Sequence, residues 1–586
     1  MDQEPYLKRS SASCRLILLL AALTILQTAN SQEAHENDTA MARQLLIHRG
    51  EVYLSFPATP DEVNMLSNML SVCSYSGDTA IVNVCSTEFE LFLRQGIPFS
   101  VILPVVHREE EAERDKDVFF PVKGEWNYYP LYSEYVEMME SWAEEYPDIC
   151  TLVDAGGTVE GRSILFLVLT GNRKHDHPKP RFMYSSTMHG DETVGYVLML
   201  RLIEYLLRGY PGDPMVERLL DNVEVWINPL ANPDGAYHGG DGNTIVSPRR
   251  RNANNIDLNR NFPLTGQTEY DTEGRQPETV VMVDLMEETH FLLSANIHTG
   301  AEVMNYPWDT WDRRHADDLW FYYICREYVD TAWHYSPDGY MTLLGGVTHG
   351  AGWYKINGGR QDFVTYYTGG REVTMEISDT KHPLPGRLPD YWEYNWRSLL
   401  GYMEQAMFGL RGRVTDAATG EPVAARIEIP GHDRDSSHVY SCDSTGWYFR
   451  LAVEGSYDIV FSAEGYHSRQ FDNVQVWNRD TTILNVQLVP VTTYILDRQG
   501  EFDASLEIRS SKGGLIHAEA LLPGELPVMV GLYDISGRKL KDVYRGYAGP
   551  GALIFKIDAG SIRPGIYIIR MDYGDSFLGR RIFITN

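Results

Sequence analysis

Two periodicities divide this chain. From Val118 onward, short apolar runs alternate with stretches whose apolar residues recur every three or four positions. Ile164 to Leu169, Phe182 to Ser186, Val223 to Ile227, Leu292 to Ile297 and Val373 to Ile377 are runs of the kind strands covered on both faces show. Leu131, Tyr135, Met138, Trp142 and Tyr146 fall on one helical face, Pro147 stops that helix, and Val197 to Leu207 reads as another. Such alternation predicts an α/β fold with a largely parallel or mixed sheet flanked by helices. Ligands in such sheets collect beyond the carboxyl ends of strands. After about Phe408 the helical period is lost. Gly412 to Val414, Ala425 to Ile429, Tyr448 to Val453, Tyr457 to Ser462 and Thr482 to Leu488 are short strands punctuated by Gly420, Gly446 and Gly465, which predicts a β-sandwich. Val528 to Tyr533, Gly551 to Ile557 and Ile566 to Met571 predict a second one. Ahead of the α/β region, strand-like Glu51 to Phe56, Ala80 to Val84 and Phe99 to Leu103 with helical Pro60 to Leu70 fit a small α/β domain.

At 586 residues the chain exceeds what one hydrophobic core supports, so several domains are required. The expected division is 1–31 as a signal peptide, 32–106 as a prodomain-like α/β unit and 107–117 as a charged linker. The α/β region with its mixed sheet follows over 118–408, then β-sandwiches over 409–490 and 491–586. Lys8, Arg9 and Arg15 precede the apolar run Leu16 to Leu26, with small Ala29 and Ser31 after it, the pattern of a secretory signal cut near Ser31. That run is short for a membrane span, and no other stretch approaches one. Arg108, Arg114 and Lys116 make the linker cleavable, and an uncut acidic tether fits its composition equally. A net charge of −30 disfavours nucleic-acid partners and anionic membrane surfaces and attracts cationic peptides, although solubility alone explains it as well. Beyond Cys14, five cysteines remain, too few and too odd for a disulfide framework. Cys73 and Cys85 are close enough in sequence to pair or to stay as thiols.

Candidate chemistry gathers at strand ends. His189 and Glu192 follow one apolar strand and His298 ends another, and two imidazoles with one carboxylate suit an open catalytic zinc site that keeps a position for water. HxxE alone arises often by chance, with His189 capping a helix and His298 satisfying a core hydrogen bond as the ordinary alternative. Further signals join it: Asn232-Pro233-Asp234-Gly235, the triplet Arg249-Arg250-Arg251, and the run Asp257-Leu258-Asn259-Arg260-Asn261-Phe262-Pro263. A guanidinium beside an amide suits bidentate capture of a carboxylate, which a peptidase acting on terminal residues requires. In Arg371 to Ser378 the alternation puts Glu372, Thr374 and Glu376 on one face, so one carboxylate there can act as a general base.

Taken in order, these motifs resemble the zinc carboxypeptidases of the M14 family, in the regulatory-type branch, over residues 118 to 405. The two-histidine, one-glutamate set is that family's known one. The resemblance implies one Zn²⁺ on His189, Glu192 and His298, with Glu376 as the base. It implies Asn259 and Arg260 as the clamp on the substrate's terminal carboxylate and Arg250 as the oxyanion arginine, its neighbours in the triplet remaining alternatives. Tyr366, or Tyr367 beside it, corresponds to the family's mobile tyrosine. Asp309 falls at the floor of the side-chain pocket, where it would pair with a C-terminal Lys or Arg; capping the following segment is the other reading. His349 either approaches the cleft or supports a turn. Gly412 to Ala417 with Thr419 to Val423 resembles a transthyretin-like domain. Leu532 to Arg538, Pro564 to Tyr567 and Arg580 to Thr585 resemble a type IX secretion sorting domain, whose partner would be the secretion machinery. The function implied is a secreted metallocarboxypeptidase acting on peptide and protein C-termini. A peptidase of cell-wall peptides and a non-catalytic surface binding protein on the same fold are the alternatives.

Overall fold

A computed structural model describes residues 36–103, 126–171, 178–491 and, with short interruptions, 504–584. The expected signal segment and charged linker lie outside these residues. The chain forms two compact units, 1–490 and 491–586.

In the first unit the α/β region builds an eight-stranded mixed sheet. Its centre is parallel: strand Arg181–Ser186 lies between Glu224–Asn228 and Leu293–His298, and Arg371–Ser378 pairs with the latter in the same sense. Antiparallel strands such as Ser163–Leu169 and Ala301–Tyr306 extend it on either side. Helices Val194–Gly209, Asp318–Tyr335 and Leu388–Glu404 pack on it and share one large core, with Leu198, Tyr184, Ile297, Phe321 and Leu399 all buried. The expected strands are all present, each within one or two residues. The Tyr132–Glu145 helix buries Tyr135 and Met139, and Met138, Trp142 and Tyr146 of the expected stripe pack, partly buried, against the same core.

Residues 36–103 form a four-stranded antiparallel sheet in the order Ser71–Ser76, Thr79–Cys85, Glu51–Pro57, Ser100–Ile102. Helices 36–49, Pro60–Leu66 and Ser86–Leu93 close its core over Leu54, Val82, Phe89 and Phe92. Strand Ser71–Ser76 and helix Ser86–Leu93 gave no clear signal in the sequence: the strand is mostly small and polar, and the helix is only eight residues long. All five described cysteines are free thiols.

Residues 409–490 fold into two facing sheets around Val414, Ile427, Tyr448 and Phe461. Their attachment to the α/β region combines apolar packing of Leu451 into its core with a buried ionic network. Asp317 is buried between Arg371 of strand Arg371–Ser378 (2.8 Å) and Arg450 of strand Trp447–Arg450 (2.8 Å), and Arg450 also reaches Asp433 at 2.7 Å. Burial opposes ionisation of Asp317, but the two guanidiniums win and hold it far below the usual carboxylate range. Removing one partner of such a network leaves buried charge uncompensated, at about 3–5 kcal/mol. Arg450→Met is therefore expected to lower the unfolding free energy of this unit by that amount, read from urea titrations of both proteins; an unchanged midpoint would show that the network contributes nothing.

The second unit is a β-sandwich in its own right. A three-stranded sheet (Ser505–Lys512, Leu515–Leu522, Gly551–Asp558) and a four-stranded one (Lys539–Ala548, Leu526–Asp534, Gly565–Tyr573, Ser576–Ile584) share a core of Ile516, Val530, Phe555, Ile569 and Ile582. No helix among the described residues is long and apolar enough to cross a membrane.

Candidate metal centre and active site

Strands Arg181–Ser186, Leu293–His298 and Arg371–Ser378 are neighbours, and at their carboxyl ends the chain brings His189, Glu192, His298 and Glu376 together. The loop carrying His189 and Glu192 is held rigidly. A Cβ on Gly190 would lie 2.2 Å from the Gly235 carbonyl carbon, so only glycine allows the loop to seat against the Asn232 to Gly235 turn. Asn232 donates to the Met188 carbonyl at 3.1 Å, which accounts for that motif as a buttress.

His189 Nδ1, His298 Nδ1 and the Glu192 carboxylate converge: the two nitrogens are 3.0 Å apart, and each lies 2.8–3.0 Å from a Glu192 oxygen. His189 donates from Nε2 to Asp257 Oδ1 at 3.1 Å, which leaves its Nδ1 lone pair facing Glu192. Burial pushes His298 down to about 4. Burial would raise Glu192, but His189, Lys381 and His298 hold it well below the usual range. Two lone-pair donors and a carboxylate packed within 4.8 Å and nearly inaccessible to water fit a divalent cation with nitrogen and oxygen ligands.

The face shared by Glu372, Thr374 and Glu376 resolves into three environments. Glu372 is bound to Arg360 at 2.9 Å and accepts from Ser294. Thr374 and Glu376 line the cavity, and Glu376 Oε2 is buried with no hydrogen-bond partner. Burial, then the charge on Glu192, raises the Glu376 carboxyl well above the ordinary range.

The arginine triplet separates similarly. Arg249 donates to the Asn252 carbonyl within its own loop. Arg250 points into the centre, 3.1 Å from His189 Nδ1 and 3.3 Å from Glu192, with its Nε on Asp257 at 3.0 Å. Arg251 turns the other way, into the N-terminal domain, onto Glu88 (2.6 Å) and Asn83 (2.8 Å). Asn259 and Arg260 line the cavity, as does Asp309. Asp309 accepts from Asn305 and Gln361, both at 3.1 Å, and is raised well above its usual range by burial and by Asp362. A Cβ on Gly350 would fall 1.9 Å from Asp309 Oδ1, so the chain passes there only as glycine. Tyr366 is not among the lining residues; its ring packs on Trp311 (5.8 Å) and Trp308 (6.2 Å), while Trp353 and Tyr354 line the cavity. His349 precedes the short helix Gly350–Trp353 and lines a separate depression with Leu319 and Tyr322.

No motif contains Lys381, yet its Nζ bonds Glu192 and lies 3.8 Å from Asp191. It sits in an irregular loop five positions after Glu376, where no periodicity marks it. Asp257, bridging His189 and Arg250, was visible only as part of its motif.

The N-terminal domain closes the cleft. Arg260 Nη2 donates to the Val72 carbonyl at 3.0 Å, Tyr354 donates to the Cys73 carbonyl at 3.3 Å and Trp353 to the Tyr75 carbonyl at 2.9 Å. Glu51 accepts from the backbone of Arg250 and Arg251 at 3.0 and 3.3 Å, and Tyr53 donates to Asp191. The cavity left over the centre is about 30 Å³, the room of a water molecule or so.

Comparison with known proteins places the architecture. A zinc carboxypeptidase family model matches residues 135–398, and a carboxypeptidase regulatory-like domain matches 409–489. The chain is 36% identical to human carboxypeptidase D over 392 residues, covering 64% of this chain and 27% of that protein. It is 31% identical to carboxypeptidase E of Caenorhabditis elegans over 431 residues, covering 65% of this chain and 91% of the relative. The solved carboxypeptidase A of Helicoverpa armigera aligns with a TM-score of 0.49 at 22% identity, over 61% of this chain and 98% of that one. The chain thus belongs to the zinc carboxypeptidase family. It spans about a quarter of the length of the carboxypeptidase D relatives it matches.

Proposed function

We propose that this chain is a secreted zinc metallocarboxypeptidase that removes C-terminal residues, Lys and Arg by preference, from peptides and proteins. The observation that carries it is the convergence of His189, Glu192 and His298 in one cavity with the unpartnered Glu376 oxygen, Arg260 and Asn259.

A zinc ion on those three ligands supplies a Lewis acid that polarises a carbonyl and acidifies water. Glu376 takes the proton from the attacking water and delivers it to the departing amine nitrogen. Its raised affinity for protons suits both transfers, and the acid limb of kcat/KM then lies above the ordinary carboxylate range. Arg250, held by Asp257, donates to the oxygen that becomes negative as the carbonyl is attacked. Arg260 and Asn259 bind the substrate's terminal carboxylate, which excludes internal peptide bonds. Secretion follows the N-terminal signal, and the C-terminal β-sandwich serves the type IX secretion machinery as a sorting domain.

Asp309 supports the basic preference. Buried, with its carboxyl raised well above the usual range, it ionises favourably only when a cation enters beside it, and a terminal Lys or Arg brings one. Truncating one side of such a buried charged pair costs about 2–5 kcal/mol. Asp309→Asn should lower kcat/KM for peptides ending in Arg or Lys by about 10²-fold while leaving those ending in Phe or Leu within a few-fold. A wild-type protein that prefers Phe or Leu would overturn the specificity. Metal analysis with hydrolysis of the four peptides tests the whole reading; absence of zinc together with absence of turnover would end it.

A further inference from the structure

The N-terminal domain meets the metal centre through one side chain. Of residues 36–103, Cys73 alone lines the cavity that His189, Glu192, His298 and Glu376 share. The backbone aims it there. In strand Ser71–Ser76, Val72 pairs with Val82 and Ser74 with Ile81, so Cys73 is the extra residue of a β-bulge, a device that re-aims a side chain. Its flanks are fixed to the α/β region, since the carbonyls of Val72, Cys73 and Tyr75 accept from Arg260, Tyr354 and Trp353 at 3.0, 3.3 and 2.9 Å. The thiol hydrogen points to the Ser71 carbonyl at 3.5 Å, a weak contact that leaves the sulfur lone pairs unused.

The space that Cys73 enters is built for a further ligand. Glu376 is 8% exposed, lines the same cavity and carries an oxygen with no hydrogen-bond partner among the described residues. Two imidazoles and one carboxylate leave a zinc ion one net positive charge and one open position. The cavity of about 30 Å³ has room for one small group beside them. The bonds that seat this strand go to carbonyl oxygens and would form with other residues at position 73. What a cysteine adds is a sulfur, and thiolate is a ligand zinc favours.

We propose that Cys73 is a fourth zinc ligand, a thiolate that closes the site for as long as the N-terminal domain is docked. The proposal rests on the zinc peptidase reading of this centre and adds to it the means of latency. On ligation the thiol gives up its proton, for which the unpartnered Glu376 oxygen is an acceptor, and the sulfur takes the place of one water. Zinc with four protein ligands is the arrangement of structural sites, whereas catalytic sites keep a position for water. Departure of the domain removes the sulfur and returns that position to water.

X-ray absorption at the zinc edge of the intact chain tests the assignment. It should show one sulfur at about 2.3 Å beside the nitrogen and oxygen ligands. Cys73→Ser should keep one zinc per chain and lose the sulfur. With cobalt in place of zinc, the wild-type chain should show a thiolate-to-metal charge-transfer band that Cys73→Ser lacks. Alkylation by iodoacetamide, followed peptide by peptide, gives a readout that needs no variant. Cys73 should react at least about tenfold more slowly with zinc bound than after chelation, while the exposed Cys442 reacts equally in both. Zinc with nitrogen and oxygen neighbours alone, a sulfur that persists in Cys73→Ser, or equal alkylation of Cys73 with and without zinc would each overturn the proposal. Peptide hydrolysis is measured separately. A chain with sulfur on its zinc that hydrolyses no peptide after the linker is cut keeps this ligand and loses the peptidase reading. Zinc without sulfur in a chain that hydrolyses peptides does the reverse, and a chain that takes up no zinc loses both.

Discussion

Glu376→Gln should retain one zinc per chain and lose about 10² to 10⁴ in kcat, the range a positioned general base supplies. In activation free energy that is about 2.7–5.5 kcal/mol. The substitution keeps the shape of the side chain and removes only its capacity to accept a proton. Glu376 is outside the ligand trio, so zinc content should not change. KM should change little, since Arg260, Asn259 and Asp309 are untouched. The wild-type pH profile gives a second readout. Burial and Glu192 raise the Glu376 carboxyl, so kcat/KM should increase with pH through a midpoint above the ordinary value of 4.5, as the base loses its proton. Retained turnover in the variant would remove Glu376 from the mechanism, and loss of zinc with the activity would make it a structural residue instead.

Legibility followed locality. The catalytic sheet could be read because its strands are buried on both faces and therefore uniformly apolar, and its motifs could be read because each packs several chemical groups into a few residues. Glu376 could not be separated from Glu372 in the sequence, since alternation puts both on one face. Only the Arg360 partner, twelve positions before Glu372, tells the occupied carboxylate from the free one. The same holds for the arginine triplet, where Asp257 selects Arg250 and Glu88 selects Arg251, the latter partner 163 positions away. Lys381 was invisible because an isolated lysine in a loop carries no pattern. The seat of the N-terminal domain was hidden for a related reason: strand Ser71–Ser76 reaches the cleft through carbonyl oxygens, which every sequence has.

That seat leads to the other large expected effect. Cutting the chain at a protease site introduced between residues 107 and 117, and separating the fragments, should raise kcat/KM toward peptides by at least about 10²-fold. The reasoning is one of occupancy. The Val72 carbonyl already takes a hydrogen bond from Arg260, the group proposed to hold the substrate's carboxylate, and the cavity of about 30 Å³ cannot admit a terminal residue. Substrate binding therefore requires the domain to leave, and apparent affinity falls by the fraction of molecules in which it has left. A covalent tether maintains the competitor at an effective concentration of the millimolar order, so an uncut chain stays mostly closed. Glu51 adds a pH term. Burial, then Asp191, raises its carboxyl in the docked state, so docking is favoured while Glu51 is protonated and weakens as pH rises through that raised value. Activity of the uncut protein should then rise with pH more steeply than that of the cut one, and Glu51→Gln should remove the difference. Equal kcat/KM before and after separation would mean that the domain is a scaffold, and that peptides reach Arg260 by another route.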